Sequence, residues 1–258
     1  GEAKVNTGAI YPYDVIKALY QNDAAEELWK ALPNFLEGNT EKILPLVDVS
    51  GSMGMDCGGS LTCMDVAISL GLYISERNEG PFKDHFLTFS NNPELQHLTG
   101  GLKDRFHQMQ RADWGMNTNL EKAYKLILDQ AVKHNISQEE MPTQILILSD
   151  MEFDEATNQR EEVFGWGEQD RDTWNPSAQE LVETMFTDAG YQVPNIVYWN
   201  IQSRNGNVPV RFDEQGTALI SGFSPSIMTS LLSGAEMSPI SIMMETIGKE
   251  RYSQIKYE

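Results

Sequence analysis

At 258 residues, the chain is long enough for one large domain or for one domain with a small appendage. Its formal net charge of −19 argues against direct binding of DNA or RNA, because such binding relies on cationic groups that displace counterions from phosphates. The lack of a membrane-spanning apolar run or a signal-peptide pattern, together with only two cysteines, predicts an intracellular, cytoplasmic protein without membrane contact.

The first 40 residues predict a short helical appendage. Apolar residues recur at helical spacing over residues 13–32, with acidic residues between them, which indicates one or two amphipathic helices. Pro12 is suited to the start of the first helix, and Pro33 ends the second. We expect residues 1–40 to be the end of a preceding helical region and residues 41–258 to form the main domain.

A short apolar run over residues 43–47 leads directly into Asp48, Ser50 and Ser52. This pattern predicts a buried strand whose carboxyl end presents one carboxylate and two hydroxyl groups on a tight loop. All three groups are hard oxygen donors, which a small dication such as Mg²⁺ prefers. The segment therefore predicts a metal site.

Two helices and a strand pair are predicted after this loop. Helical spacing extends over residues 61–77, with Thr62 as the N-terminal cap. Residues 85–90 are rich in aromatic and β-favouring side chains, and residues 95–98 are predicted to return beside them at the sheet edge. A short helix follows over residues 102–109.

Thr118 lies immediately before a long amphipathic helix that is predicted to continue through Val132. With Glu121 three residues later, it resembles a capping box, so capping of this helix is one role for its hydroxyl group. Metal ligation is a second role, and the two do not exclude each other.

A second apolar run, over residues 144–149, ends in Asp150. Such a run is typical of a strand buried on both faces of a parallel sheet. Because both core strands end in a carboxylate, Asp48 and Asp150 are expected at the carboxyl edge of the sheet, where α/β folds bind their ligands.

The rest of the chain continues to alternate between loops, helices and strands. An acidic stretch with interspersed aromatic residues predicts a long loop over residues 155–176. Strands are predicted at 195–201, 208–212 and 218–222, and helices at 177–189, 224–232 and 239–252. The alternation predicts an α/β fold with a doubly wound, mostly parallel sheet flanked by helices.

Asp48, Ser50, Ser52, Thr118 and Asp150 together resemble the metal-ion-dependent adhesion site (MIDAS) of von Willebrand factor A (vWA) domains, as found in integrin inserted domains. The order of the motifs matches: the Asp-x-Ser-x-Ser segment follows a core strand, the threonine precedes a helix, and the later aspartate ends another core strand. The resemblance covers residues 42–258 and implies the Rossmann-like vWA fold.

The resemblance also implies a role for each residue. Ser50 and Ser52 would ligate Mg²⁺ directly, and Thr118 would do so directly or through water. Asp48 and Asp150 would hold metal-bound waters and orient the serine hydroxyl groups. One position would stay open for a carboxylate from a protein partner, because hydroxyl ligands leave the charge of the ion incompletely neutralised. Mn²⁺ and Ca²⁺ are alternatives to Mg²⁺.

Within the vWA superfamily, the chain looks most similar to intracellular Ro (TROVE) proteins and DUF2828-type proteins. Residues 48–53, 115–120 and 149–152 carry this likeness. In such proteins a helical region precedes the A domain, as predicted here for residues 1–40. The resemblance implies a module for protein–protein interaction in a ribonucleoprotein or other assembly, with RNA reached only through a preceding N-terminal region.

An enzyme is the main alternative, in the form of a metal-dependent hydrolase or phosphotransferase that uses the same aspartates. Against it, the sequence has no Gly-x-x-x-x-Gly-Lys-Ser/Thr loop, no Gly-x-Ser-x-Gly motif and no base placed beside a serine nucleophile. A structural domain that has lost its metal is a third alternative, which the complete five-residue set disfavours.

Several other reactive side chains have structural explanations. Cys57 and Cys63 lack the partner ligands of a zinc site and are expected to be buried or idle thiols. Three acidic residues close to the motifs in sequence could ring the metal site, but such loop residues are usually only solvated. Four histidines show no ligand-like spacing and are expected to be ordinary surface or edge residues. The acidic residues are Asp56, Glu152 and Asp154, and the histidines are His85, His97, His107 and His134.

Overall fold

The computed structural model describes residues 10–19, 24–58, 60–90, 92–113, 119–150, 176–202, 217–223 and 225–232. The helices are α1 (Pro12–Ala18), α2 (Ala25–Lys30), α3 (Cys63–Arg77), α4 (Leu102–Gln110), α5 (Leu120–His134), α6 (Pro176–Asp188) and α7 (Pro225–Leu232). The strands are β1 (Ile43–Val47), β2 (Asp56–Gly58), β3 (Leu61–Thr62), β4 (His85–Thr88), β5 (Leu95–His97), β6 (Gln144–Ser149), β7 (Asn195–Asn200) and β8 (Thr217–Ser221).

The main sheet has the strand order β5-β4-β1-β6-β7-β8. All neighbouring strands pair in parallel except the edge strand β5, which runs antiparallel to β4. The structure therefore confirms the predicted doubly wound, mostly parallel α/β sheet and the predicted strand pair at its edge. Because β1 and β6 lie side by side at the centre, the loops after them are neighbours.

Each face of the sheet is covered by an apolar cluster, which explains why β1 is apolar along its whole length. Ile43 and Val47 pack into the cluster that includes residues of α3, α4 and α7. Leu44 and Leu46 point to the opposite cluster, which includes residues of α5 and α6. Alternate side chains of the strand thus enter different cores, as strand geometry requires.

The N-terminal helices pack against α3. The Tyr73 hydroxyl group of α3 donates a hydrogen bond to the Pro33 carbonyl oxygen at 2.6 Å and accepts one from the Phe35 amide at 2.7 Å. The ring of Trp29 meets the Tyr73 ring edge-on, with 6.2 Å between centroids. Pro12 is the first residue of α1, as predicted. That residues 1–40 end a preceding helical region stays a prediction.

Local boundaries differ from the predicted ones after the serine loop. Leu61, which was predicted to begin a helix, lies in β3, and α3 begins at Cys63. Thr62 caps α3 as predicted, because its Oγ1 accepts a hydrogen bond from the Asp65 amide at 3.1 Å. The β2–β3 hairpin was not predicted. The predictions for residues 155–175, 208–212 and 239–252 lie outside the described residues.

Among the helices of the described residues, none combines the length and the apolar character that crossing a bilayer requires.

Candidate metal centre

Two aspartates lie at the carboxyl edge of the sheet, where β1 and β6 end. The parallel register pairs Val47 with Leu148, and the Asp48 amide continues the ladder by donating to the Leu148 carbonyl oxygen at 3.0 Å. Asp150 follows β6 directly. Only 3% of Asp48 and 2% of Asp150 is exposed, so the site contains two buried carboxyl groups.

Hydrogen bonds fix the carboxylate of Asp48 at both oxygens. Oδ1 accepts from the Ser50 amide at 2.8 Å, and Oδ2 accepts from the Ser149 hydroxyl group at 2.7 Å. Burial raises the pKa of Asp48, and the charge of Asp150 raises it further, whereas the hydrogen bonds from Ser50 and Ser149 lower it. A cation at this edge would offset the buried negative charge.

Ser52 lies in a short 3₁₀ turn, Gly51–Gly54, and Ser50 is the residue directly before it. Residues 50–54 are called the serine turn below. The turn is closed by hydrogen bonds from the Met53 amide to the Ser50 carbonyl oxygen and from the Met55 amide to the Ser52 carbonyl oxygen, both at 3.1 Å. The buried side chain of Met53 anchors the turn to the core. Both serines are partly exposed, so they are the accessible donors of the site.

The distance between the two serine oxygens tests whether the site fits a cation. Ser50 Oγ and Ser52 Oγ are 3.0 Å apart. Adjacent ligands of an octahedral Mg²⁺ ion with bonds of about 2.1 Å are separated by about 3.0 Å. The same distance suits a hydrogen bond between the two hydroxyl groups. The spacing of the two serine oxygens is therefore compatible with two neighbouring positions around Mg²⁺.

The chemistry of the donors also fits a hard cation. No cluster of three or more His, Cys, Asp or Glu side chains that could hold a metal ion occurs in the part of the chain that the structure describes. The site offers carboxylates from Asp48 and Asp150 and hydroxyl groups from Ser50 and Ser52 instead. Oxygen donors of this kind suit Mg²⁺, Mn²⁺ or Ca²⁺ rather than zinc or copper.

Thr118 lies outside the described residues, so its role as a ligand stays a prediction. The cap of α5 is Asn119 and not Thr118, since the Asn119 side chain accepts from the Lys122 amide at 2.9 Å. The Asn119 amide also donates to the Ser90 carbonyl oxygen at 3.3 Å, which ties the start of α5 to the segment after β4. Helix α5 therefore begins at the same edge of the sheet as the two aspartates.

One contributor to the site was not predicted. Ser149 was expected only as the last residue of a strand, but its hydroxyl group is buried and contacts Asp48. The signal was the strand register, because Ser149 follows Leu148, the partner of Val47. Sequence periodicity alone does not reveal which strands are neighbours.

The prediction of idle cysteine thiols was wrong. Cys57 and Cys63 form a disulfide bond, with 5.2 Å between their Cα atoms. The bond spans the β2–β3 hairpin, which directly follows the serine turn. The disulfide also removes the cysteines as an argument for a reducing compartment, so the cytoplasmic location stays a prediction.

In the described part of the chain, Asp56, His85 and His97 have contacts of their own. Asp56 is exposed, and its Oδ1 accepts from the Gly58 amide at 2.7 Å within the hairpin. His85 of β4 and His97 of the edge strand β5 face each other, with ring centroids 4.7 Å apart. Glu152 and Asp154 lie outside the described residues.

Comparison with known proteins shows one family and two similar proteins. A family model described as a domain of unknown function, DUF7788, matches residues 42–256. An uncharacterized protein of Acanthamoeba polyphaga mimivirus is 28% identical over 256 residues, which cover 96% of this chain and 41% of that protein. The crystal structure of the Deinococcus radiodurans RO (RSR) protein is similar with a TM-score of 0.52 and 17% identity, over 89% of this chain and 45% of that one.

The similarity covers only part of each of the two proteins. The chain spans less than half the length of the mimivirus protein and of the RO protein. The structural likeness confirms the predicted resemblance to Ro proteins at the level of the fold. The resemblance to DUF2828-type proteins stays a prediction.

Proposed function

Since the chain belongs to the family DUF7788, whose description assigns no function, we propose that it is a divalent-cation-dependent binding module of the vWA type. The single observation that carries the proposal is the pair of partly exposed hydroxyl groups, 3.0 Å apart, beside the buried carboxylate of Asp48. Ser50 and Ser52 hold the cation, and Asp48 and Asp150 orient the donors around it. Thr118 supplies a further oxygen.

The cation serves to recognise an acidic group on a protein partner. Neutral hydroxyl ligands leave most of the charge of the ion unneutralised, and a carboxylate from the partner completes both coordination and charge. The protein surface itself is strongly acidic, with a net charge of −19, and would repel such a partner elsewhere. The metal therefore provides a local positive charge, and binding of the acidic partner depends on the metal.

A role in a ribonucleoprotein or other large assembly belongs to the same proposal. The fold likeness to the RO protein supports it, and the chain covers only part of the length of that protein. Because the net charge of −19 of residues 1–258 opposes contact with phosphates, any RNA in such an assembly is reached only through a preceding N-terminal region.

An enzymatic function is not favoured by the geometry. The Ser149 hydroxyl group donates a hydrogen bond to the Asp48 carboxylate, as a serine nucleophile does to its base, but only 1% of the residue is exposed. A buried hydroxyl group cannot reach a substrate. The partly exposed Ser50 and Ser52 fit the role of metal ligands. A binding function needs no catalytic group beside them.

Calorimetric titration of the metal-stripped protein with Mg²⁺, Mn²⁺ and Ca²⁺ tests the metal site. We expect saturable binding of one ion to the wild type and its loss in Asp48→Asn, which keeps the shape of the side chain. Asp129→Asn is the control, because it removes the same charge from an exposed position about 13 Å along α5 from the first residue of that helix. Equal binding by the wild type and Asp48→Asn would contradict the proposal.

Proton relaxation of water in the presence of bound Mn²⁺ tests the acidic partner. A glutamate-containing peptide is expected to displace water from the ion and to lower the relaxation enhancement, because its carboxylate occupies the open position. The same peptide with glutamine instead of glutamate should leave the enhancement unchanged. An equal response to both peptides would show that recognition does not depend on a carboxylate.

A further inference from the structure

The disulfide between Cys57 and Cys63 closes a small hairpin between the serine turn and helix α3. The ladder of the hairpin is short, since β2 and β3 pair through Asp56 with Thr62 and Gly58 with Leu61. Ser60 and Gly58 both have positive φ angles, of 66° and 103°. For Ser60 this left-handed conformation is less favourable than for glycine, and the disulfide closes the chain around it.

Two backbone hydrogen bonds connect the disulfide to the candidate metal ligands. The Cys63 amide donates to the Met55 carbonyl oxygen at 3.0 Å, and the Met55 amide donates to the Ser52 carbonyl oxygen at 3.1 Å. Ser52 Oγ in turn lies 3.0 Å from Ser50 Oγ. A constraint on the hairpin is therefore also a constraint on the spacing of the two hydroxyl groups.

The two sulfur atoms differ in access and in their surroundings. Cys63 is completely buried and is the first residue of α3, a helix of 15 residues. Cys57 is partly exposed, and its Sγ lies 4.0 Å from the carbonyl oxygen of Ile201. An external thiol therefore reaches Cys57, and Cys63 is the better leaving group because amides at a helix N-terminus stabilise a thiolate.

We propose that the Cys57–Cys63 disulfide controls the affinity of the cation site according to the redox state of its surroundings. This inference rests on the proposed function of the site. A thiolate of a dithiol reductant attacks Cys57 Sγ, the disulfide bond breaks, and Cys63 leaves with the electron pair and takes up a proton. The second thiol of the reductant then releases Cys57 as a thiol, and the reductant becomes a disulfide, so two electrons are transferred.

Reduction weakens cation binding because it frees the hairpin that positions Ser52. Removing a group that orients metal ligands lowers metal affinity by roughly 10-fold to 100-fold in other proteins. We expect a loss in this range on reduction, with no change in the overall fold, since neither cysteine lies in the six-stranded sheet.

Titration of the oxidised and the reduced protein with Mg²⁺ and Mn²⁺ tests this inference. The reduced form is prepared with a phosphine reductant and exchanged into reductant-free anaerobic buffer, and its thiols are counted. We expect the oxidised form to bind at least about 10-fold more tightly than the reduced form. The double variant Cys57→Ser, Cys63→Ser should bind like the reduced protein and should not respond to the reductant.

Hydrogen exchange of the metal-free protein gives a second readout. Reduction is expected to accelerate exchange of the Met55 and Cys63 amides while the amides of β1 and β6 stay protected. Equal affinity in both redox states would overturn the inference and leave the proposed function standing. Failure of both forms to bind any of the ions would overturn the proposed function and the inference with it. Unchanged exchange of the Met55 and Cys63 amides on reduction would contradict the inference, because the disulfide would then not constrain the serine turn.

Discussion

The carboxylate of Asp48 is buried beside that of Asp150, and this arrangement predicts the effect of an isosteric amide. In Asp48→Asn, the side-chain oxygen still accepts from the Ser50 amide, and the Ser149 hydroxyl group can accept from the new amino group. Because a buried charge is removed, we expect the metal-free variant to be more stable than the wild type by about 1 kcal/mol, or about 2–4 °C in Tm. Thermal unfolding at pH 7 measures this difference.

The pH dependence of the stability difference between Asp48→Asn and the wild type provides the control for this prediction. Burial raises the folded-state pKa of Asp48 above the unfolded value, so the native protein binds this proton more tightly than the unfolded chain does. The wild type therefore loses stability as the pH rises from the unfolded pKa through the folded one, and the variant lacks this loss. The advantage of Asp48→Asn should shrink as the pH falls. A constant or growing advantage at low pH would show that charge burial is not its cause.

At the level of single residues, the sequence predicted the donors better than their partners. Asp48, Ser50, Ser52 and Asp150 were placed at the sheet edge because they follow apolar runs that predict buried strands, and the structure has those strands as β1 and β6. The contact of Ser149 with Asp48 depends on β1 and β6 being neighbours, which is a property of the sheet order and not of either segment. The role of all five residues as metal ligands stays a prediction, and Thr118 also lies outside the described residues.

Helix α3 packs closely on β1 at Gly71. Because β1 leads directly into Asp48, this contact is expected to help position the candidate metal site. A Cβ atom on Gly71 would lie 2.6 Å from Cγ2 of Val47 and 3.2 Å from Sδ of Met109. The methionine can adjust, but the branched side chain of Val47 is fixed in a buried strand. Overpacking of about 1–3 kcal/mol should outweigh the gain of about 1 kcal/mol from replacing glycine in a helix.

We therefore expect Gly71→Ala to destabilise the protein and, because Val47 directly precedes Asp48, to weaken metal binding. Denaturant unfolding and metal titration measure the two effects. A double-mutant cycle with Val47→Ala supplies the control, since the smaller side chain leaves room for the new methyl group. If the effects of Gly71→Ala and Val47→Ala on the free energy of unfolding simply add, the close contact between α3 and β1 is not the cause of the destabilisation.

Elements with a clear apolar pattern were predicted, and the short β2–β3 hairpin was not. The apolar runs of β1, β6 and β7 define strands because both faces of the sheet are covered. The β2–β3 hairpin has strands of three and two residues, too short for a periodic pattern. Its disulfide could not be inferred from two cysteines, because spacing alone does not distinguish a bond from two free thiols.

The net charge of −19 acts on the whole molecule and complicates every measurement of metal binding. The charged surface concentrates cations without any site, and mutual repulsion of its carboxylates destabilises the folded chain. Dissolved salt screens this repulsion, with a Debye length of about 10 Å at 0.1 M. Stabilisation by Mg²⁺ therefore has a general part, which any salt provides, and a specific part, which depends on the site.

The two parts separate when NaCl and MgCl₂ are compared at equal ionic strength. We expect NaCl to raise the Tm of the wild type, Asp48→Asn and Asp129→Asn by similar amounts, because all three carry nearly the same charge. At about 100 times its dissociation constant, Mg²⁺ should add about 2.7 kcal/mol to the wild type and to Asp129→Asn, and nothing to Asp48→Asn. Thermal scans in both salts make this measurement. An equal extra shift in all three proteins would mean that Mg²⁺ acts through the charged surface and that the serine turn holds no ion.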